Sequence, residues 1–242
     1  MLPCEPAGTN IKVMFHRILV IGRGRLGSAL AARLEARGHE IVEADAELVV
    51  LCVPDAAIAS VAAAIPSGPW VCHMSGATPL SACAPHTQRF GVHPLQTFRR
   101  NAGASQFDGA WGGISGETPE AVSAAAWLGT ELGLRTFEID EERRALYHMG
   151  ATIASSYLVT LYRMAGRACA IAGAPPEALV PLIRRTIDND FELTGPFARG
   201  DWGTVEMHLR AIRQFAPEAE AVYQALADAT VRDLTSGTPS RE

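Results

Sequence analysis

Aromatic residues make up only 7% of the sequence and charged residues 19%. The formal net charge is a mild −5. There is no basic stripe of the kind that binds nucleic acid or an anionic membrane. No apolar run reaches the roughly 18 residues that a membrane-crossing helix needs. Cysteine is scarce: Cys4, Cys52, Cys72, Cys83 and Cys169 are odd in number and match no zinc-ligand spacing. Cys52 and Cys72 lie in apolar strand-like runs, where cysteine acts as a small buried hydrophobe. A reduced, cytoplasmic protein is the expectation. The first 13 residues show neither an apolar h-region nor a small-residue cleavage pattern, so no secretory leader is expected. They are read as a disordered extension ahead of Met14 or as residues upstream of the true start. Repeats and low-complexity segments are also lacking.

What is present is apolar and small. Of 242 residues, 48% are hydrophobic, enough for one large domain or two small ones. Arg17–Ile21 is a short β-branched run, followed by apolar Leu26, Ala29, Leu30 and Leu34 at helical spacing up to Gly38. Glu40–Ala44 reads as a second strand. Leu48–Val53 is a continuous apolar run, as in a strand buried on both faces. Pro54 ends it, and Asp55 is placed to cap a helix over Ala56–Ile65. Trp70–His73, Arg89–Val92, Ala110–Ser115 and Leu134–Ile139 are further strand candidates, with a helix over Pro119–Leu132. This alternation predicts a parallel α/β sheet. Beyond Asp140 no strand is found. Helices are predicted over Glu141–Gly173, from Pro175 to about Leu193, over Asp201–Phe215 and over Pro217–Leu234, with a disordered tail after Thr235. The expected division is therefore α/β over 1–140 and all-helical over 141–242.

Between the first strand and helix stands Gly22-Arg23-Gly24-Arg25-Leu26-Gly27. In this G-x-G-x-x-G order the first glycine allows a tight turn. The second lets backbone approach a diphosphate, and the third lets helix pack on strand. The helix N-terminus adds free N–H groups and a favourable dipole. The pattern predicts a dinucleotide fold; the plainer alternative is a tight strand-to-helix turn. Arg23 and Arg25 are placed to touch phosphate or to stay solvated, and Arg99 and Arg100 read as surface charge.

One stretch is too short. Glu43 or Asp45 could read a ribose at the end of the second strand. Only Asp45-Ala46-Glu47 separate that strand from the next, and three residues reach about 10 Å. Two parallel strands need a crossover of about a dozen residues or more. The usual helix and third strand are predicted to be missing, with dinucleotide affinity weakened or lost.

Several segments together resemble a functionally uncharacterised family. It pairs a Rossmann-like domain with a helical domain of unknown function and is related to pyrroline-5-carboxylate reductase, prephenate dehydrogenase and 6-phosphogluconate dehydrogenase. The segments are the glycine loop, Val53-Pro54-Asp55, His73-Met74-Ser75-Gly76, His93-Pro94-Leu95-Gln96-Thr97-Phe98, Tyr147-His148, Leu193-Thr194-Gly195-Pro196 and Arg199-Gly200-Asp201. The resemblance implies a 6-phosphogluconate-dehydrogenase-like helical domain, NADP, and a homodimer formed through that domain. It places the cofactor at Gly22, Arg23, Gly24, Arg25, Leu26, Gly27, Val53 and Pro54. The chain departs from the family in the missing segment after the second strand. It also carries Ser155-Ser156 where asparagine tends to follow the serine.

Ser75 and His93 each follow a strand candidate, at the edge where parallel sheets bind ligands. His93-Pro94 resembles the prephenate dehydrogenase motif, whose histidine acts on a substrate oxygen. A histidine can exchange that proton and a serine can orient the oxygen; the alternative is a structural histidine holding the turn into Pro94. His73 is read as a supporting partner or a core histidine. His148, Thr152, Ser155 and Ser156 fall on one helix face, lining a cleft or making a helix contact. Tyr147 and Tyr157 read as packing residues. Arg199 is suited to a substrate carboxylate or to a structural ion pair, and Thr194 and Asp201 to helix caps. The candidate catalytic set is His93, Ser75, His148 and Ser156, with no metal. Two functions follow. One is an NAD(P)-dependent oxidoreductase on a small acid or imine, and the other a degenerate, non-catalytic protein that binds a metabolite or partner.

Overall fold

The computed structural model describes residues 14–236. Cys4, the segment ahead of Met14 and the tail beyond Ser236 lie outside the described residues. β1 (Arg17–Ile21) and α1 (Arg25–Ala36) form where β-branching and helical spacing predict them. α1 buries Ala29, Leu30 and Leu34 against the sheet. Gly38, at φ +91°, ends it, and the His39 N–H donates to the Leu34 carbonyl at 3.0 Å.

The second strand is shorter than expected. β2 is Glu40–Ile41 rather than Glu40–Ala44. Residues 42–47 then cross one face of β1 to reach β3 (Leu48–Leu51). Ala46, within the crossing, packs against the cluster of Val49 and Leu51. The predicted loss of a helix and a strand at this point is what the structure contains. The short link suffices because β2 and β3 flank β1, two strand spacings or about 10 Å apart. After β3, Asp55 caps nothing. It lies inside a 3-10 turn, Asp55–Ala57, preceded by Pro54 with no side-chain cap. α2 follows as Ile58–Ala63.

β4 (Trp70–His73), β5 (Arg89–Leu95), β6 (Trp111–Gly116), α3 (Pro119–Leu132) and β7 (Arg135–Glu138) complete the first half. Among the described residues seven strands form one sheet, ordered β2-β1-β3-β4-β5-β6-β7. It is parallel except where β6 runs antiparallel to β5. Residues 96–110 hold only a short 3-10 turn, Ala104–Phe107. Without a crossover helix the returning strand reverses direction. One face of the sheet packs Ile18, Val20, Val50, Cys72 and Phe90 on α1 and α3. The other packs Val49, Leu51 and Val71 on α2.

The long helix predicted from Glu141 begins with a 3-10 turn, Glu141–Arg143, capped by Asp140. α4 (Arg144–Thr152) leads into a π-helical segment, Ile153–Tyr157, and α5 (Leu158–Ile171) continues from it. By contacts the chain divides between Ser155 and Ser156. The last strand does end near residue 140, as predicted, yet α4 belongs with the sheet.

The second unit contains no strand among the described residues. α6 (Leu179–Asp188) stops short of Leu193, where Asp190 and Phe191 take φ +55° and +60°. α7 (Trp202–Phe215) is capped by Asp201, which accepts the Thr204 N–H at 3.1 Å. α8 (Glu220–Ser236) ends the described chain. Within residues 156–236 only Gly166 and Val205 are buried.

Candidate active site

The glycine loop has the shape its sequence predicts. Gly22 turns at φ +96°, and a Cβ there would lie 2.4 Å from the Cys52 carbonyl oxygen. A Cβ on Gly27 would lie 1.8 Å from the Gly22 carbonyl oxygen, so only glycine lets α1 sit this close to β1. Gly24 is different, with no atom within 4 Å of its missing Cβ. Ser28 donates to the Arg23 carbonyl at 2.9 Å and fixes the loop. Gly24 is the N-cap of α1 and provides no side-chain cap, and no acidic residue stands in the first turn. The first-turn N–H groups are therefore left with neither a side-chain cap nor a neighbouring carboxylate in that turn. These features fit the diphosphate of a dinucleotide, held by Gly22, Gly24, Gly27 and the N–H groups of Arg25 and Leu26.

A second group of residues gathers at the ends of β4 and β5. β4 ends at His73, level with Gly91, so His93 stands two residues further along, inside β5 rather than after it. The chain beyond β4 turns at Ser75-Gly76. A Cβ on Gly76 would come within 2.6 Å of His148 Cδ2 and 2.7 Å of His93 Cε1, which places both rings against that glycine. His93 Nδ1 lies 2.8 Å from the Tyr147 hydroxyl. The His93 and His148 rings are 5.7 Å apart, edge to face.

Beneath them lies a charge that the sequence does not advertise. Arg144, the first residue of α4, is 2% exposed. It donates to the Ser75 carbonyl at 3.2 Å, to the Ser115 hydroxyl and, through Nε at 2.9 Å, to Glu141. Glu141 also accepts the Leu80 N–H at 3.1 Å. Burial works against the Glu141 charge, but its bonds from Arg144 and Leu80 win and hold its carboxyl below the usual range. The buried cation is therefore paired and hydrogen-bonded, as it must be.

Burial, with the charges of His148 and Arg144, pushes His93 down to about 4. Burial and Arg144 do the same to His73. Burial pushes the Tyr147 phenol up to about 12. Near neutral pH the site holds a neutral imidazole bonded to a protonated phenol. His73 is fully buried; its Nδ1 accepts the Ser75 N–H at 3.3 Å, and its Nε2 has no partner. It is a neutral core histidine supporting the turn.

The family model for a domain of unknown function, DUF2520, matches residues 110–230. The chain belongs to this family. No curated protein matches it. Among solved structures it is similar to BF3122 from Bacteroides fragilis, a candidate NADP oxidoreductase. That likeness has 22% identity and a TM-score of 0.76 over 90% of this chain and 98% of that one. Protein TM1727 from Thermotoga maritima is 23% identical, with a TM-score of 0.72 over 91% and 98% of the two chains. A 1-pyrroline-5-carboxylate reductase from Streptococcus pyogenes is 16% identical, with a TM-score of 0.58 over 91% and 98%. At these identities the likeness establishes a Rossmann-like fold with a helical second part.

In this DUF2520 member the residues singled out by sequence divide. His93 and His148 come together at Gly76, within the first unit. Ser75 does not offer a free hydroxyl. It accepts the N–H groups of Ala77 and Thr78 and donates to Thr78 at 2.9 Å, so it builds the turn. The expected polar stripe is also spent on backbone. Thr152 donates to the His148 carbonyl at 3.0 Å and Ser155 to that of Ala151 at 2.7 Å. The π-helical segment changes the residues per turn, so face counting from His148 fails before Ser156. Ser156 falls in the second unit. Val53 and Pro54 follow β3, next to the glycine loop's own strand. Tyr147, Arg144 and Glu141 lie in or beneath this candidate site and were not singled out from the sequence as candidates. One signal was available: Arg144, Tyr147, His148 and Ala151 recur at helical spacing on a single face.

Proposed function

We propose that this chain is a nicotinamide-nucleotide-dependent oxidoreductase acting on a small carbonyl or imino compound, with His93 as the group that handles the substrate proton. One observation carries the reading. An uncapped glycine cradle and the neutral His93–Tyr147 pair end at the same edge of one sheet, on β1 and β5, beside the point where strand order reverses between β1 and β3. A bound nicotinamide would supply or accept hydride at the substrate carbon. His93 and Tyr147 would give the substrate oxygen or nitrogen its proton in reduction and take it in oxidation. The phenol keeps its proton at neutral pH, so in reduction His93 can pass its Nε2 proton to the substrate while taking the Tyr147 proton at Nδ1, and the phenolate left behind regains a proton from solvent. The pairing of the glycine cradle with NADP, the role of Val53 and Pro54 beside it, and a supporting role for His148 belong to this reading. Structures of similar fold named as a candidate NADP oxidoreductase and a pyrroline-5-carboxylate reductase support it.

The shortened β2 sets the expected affinity. β2 stops level with Ile18, three residues before β1 ends at Ile21, roughly 10 Å below the edge at about 3.3 Å per residue. The adenosine side has a low wall, and binding weaker than the usual micromolar range is expected. Titration of NADPH and NADH by fluorescence tests the proposal, followed by nucleotide oxidation against a panel of small imino and 2-oxo acids. Saturable binding, with turnover that His93→Ala abolishes, is the expected result. Absence of binding at millimolar nucleotide would leave a non-catalytic scaffold.

We also propose a homodimer assembled through the helical unit. Its support is the burial of only Gly166 and Val205 within residues 156–236. Leu182, Phe191, Trp202, Met207 and Phe215 stand exposed, which a second copy would cover.

A further inference from the structure

The missing β2 segment removes the place where a dinucleotide fold reads the substituents of the adenosine ribose. What remains after β2 is acidic: Glu43, Asp45 and Glu47. Glu47 is turned to the N–H groups of His16 and Arg17. No cation follows β2 until β3 begins. The positive charge of this half of the molecule is gathered elsewhere, beside the glycine loop.

There a cavity of about 290 Å³ is lined by Arg23, Arg25, Arg99 and Arg100, together with Gly24 and Ser28. No carboxylate lines it. None of the four guanidinium groups takes part in an ion pair among the described residues. Arg33, on the same helix as Arg25, shows the contrast, because it is bonded to Asp108 and to the Ala104 carbonyl. That bond also anchors the far end of the loop that carries Arg99 and Arg100. Gln106 anchors the near end: its side chain accepts the Arg99 N–H at 2.7 Å and donates to the Gly103 carbonyl at 3.0 Å. Asn101 and Gly103 turn the loop at φ +58° and +73°. Four unpaired cations are thus held around one concavity by a loop tied down at both ends.

We propose that this cavity is a phosphomonoester site, in which Arg99 and Arg100 close on Arg23 and Arg25 around a terminal phosphate dianion. The glycine loop meets a diphosphate with backbone N–H groups and a helix dipole, which are uncharged donors. A terminal dianion calls for full charges, and guanidinium forks match its oxygens in pairs. Two sources supply such a group: the 2′-phosphate that distinguishes NADP from NAD, and a phosphate carried by the substrate. Applied to the cofactor, the inference deepens the oxidoreductase reading and rests on it. Charge recognition would have moved from the end of β2 to the loop after β5.

The test compares the intact chain with the R99Q/R100Q variant, using NADPH, NADH and inorganic phosphate. Both arginine side chains are exposed and the loop is held through backbone and Gln106, so the variant is expected to melt with the intact protein. Nucleotide binding is read by fluorescence and phosphate binding by the rise in melting temperature. With the 2′-phosphate as source, the intact chain prefers NADPH, and the variant loses about tenfold or more of NADPH affinity while NADH affinity holds. With a substrate phosphate as source, the two nucleotides bind alike, and phosphate raises the melting temperature of the intact chain but not of the variant. An equal loss for both nucleotides overturns the assignment, because the arginines then serve the diphosphate. So does a variant indistinguishable from the intact chain with all three probes. If the intact chain binds neither nucleotide, the oxidoreductase reading fails while the phosphate measurement still decides the pocket. Arg100→Glu alone is the second variant. It should reverse the phosphate effect if the site exists and leave it unchanged if it does not.

Discussion

His93 Nδ1 and the Tyr147 hydroxyl lie 2.8 Å apart, joining strand β5 to helix α4 by a single hydrogen bond. The two residues are separated by 54 positions in the chain. The bond occupies Nδ1, so under the proposed reaction Nε2 is the nitrogen that meets the substrate. Tyr147→Phe should therefore reduce turnover at least about tenfold while nucleotide affinity is unchanged, and should cost only about 1 kcal/mol of stability. Rate and affinity measured on the same preparation check this. A fall in affinity with rate preserved would remove Tyr147 from the proton path.

The glycines of the loop should separate by function. Gly27→Ala sets a methyl against the Gly22 carbonyl at 1.8 Å, so the expected outcome is a large drop in melting temperature. Gly24→Ala meets nothing within 4 Å. It should fold as the parent does and lose nucleotide affinity, because the methyl occupies the space above the cradle. Equal NADPH affinity in Gly24→Ala and the parent would mean that no phosphate approaches there.

Arg144 should be the most costly polar residue to truncate. Arg144→Ala leaves Glu141 half-buried with its carboxyl short of a donor, and leaves the Ser75 carbonyl without its bond. Because Glu141 is half-buried and keeps the Leu80 N–H, the expected cost is that of lost partners for buried polar groups, about 1–3 kcal/mol. Urea denaturation measures it, and Gly76→Ala gives a comparison with the charge intact. There a methyl pressing within 2.7 Å of His93 should disturb the site more than the fold.

Acid should destabilise the first unit through its neutral histidines. His73 falls from an ordinary 6.5 to about 4 when folded. Its contribution to stability is present above pH 6.5 and is lost as pH drops through 4, since the unfolded chain takes the proton first. At about 1.4 kcal/mol per pH unit, this fully buried residue accounts for about 3 kcal/mol over the window between 6.5 and 4. Melting temperatures across that window should fall more steeply for the parent than for His73→Gln.

The helical unit should not stand alone. Dilution in an analytical ultracentrifuge should reveal a dimer, and charged residues placed at exposed Leu182 and Met207 should dissociate it. A monomer at high concentration with the second unit still folded would contradict the proposed pairing.

The glycine loop, the strand-and-helix alternation up to Glu138 and the missing segment after β2 were all legible in the sequence. Each is local: glycine spacing, hydrophobic period and the reach of a few residues are properties of adjacent positions. His93 and His148, singled out by residue type and neighbouring motif, do lie together in the structure, with ring centroids 5.7 Å apart. Ser75 shows the limit of that method. A serine after a strand looks available, but whether its hydroxyl faces a ligand or closes its own turn depends on backbone angles that the neighbouring letters do not reveal. The stripe from His148 to Ser156 failed for a related reason, since helical spacing assumes a constant residue count per turn and the π-helical segment breaks it.

By itself, the sequence determined that this chain folds as a Rossmann-like sheet with a tight glycine loop between its first strand and helix, followed by helices, since burial periodicity and glycine geometry act over a few residues. Only the tertiary structure decided the rest. The antiparallel β6, Arg144 buried beneath the turn at Ser75, the pairing of His93 with Tyr147 and the gathering of four arginines around one cavity all join segments tens of residues apart. Their cause is packing: a cation 2% exposed or a histidine held neutral acquires its chemistry from neighbours that no reading along the chain places beside it.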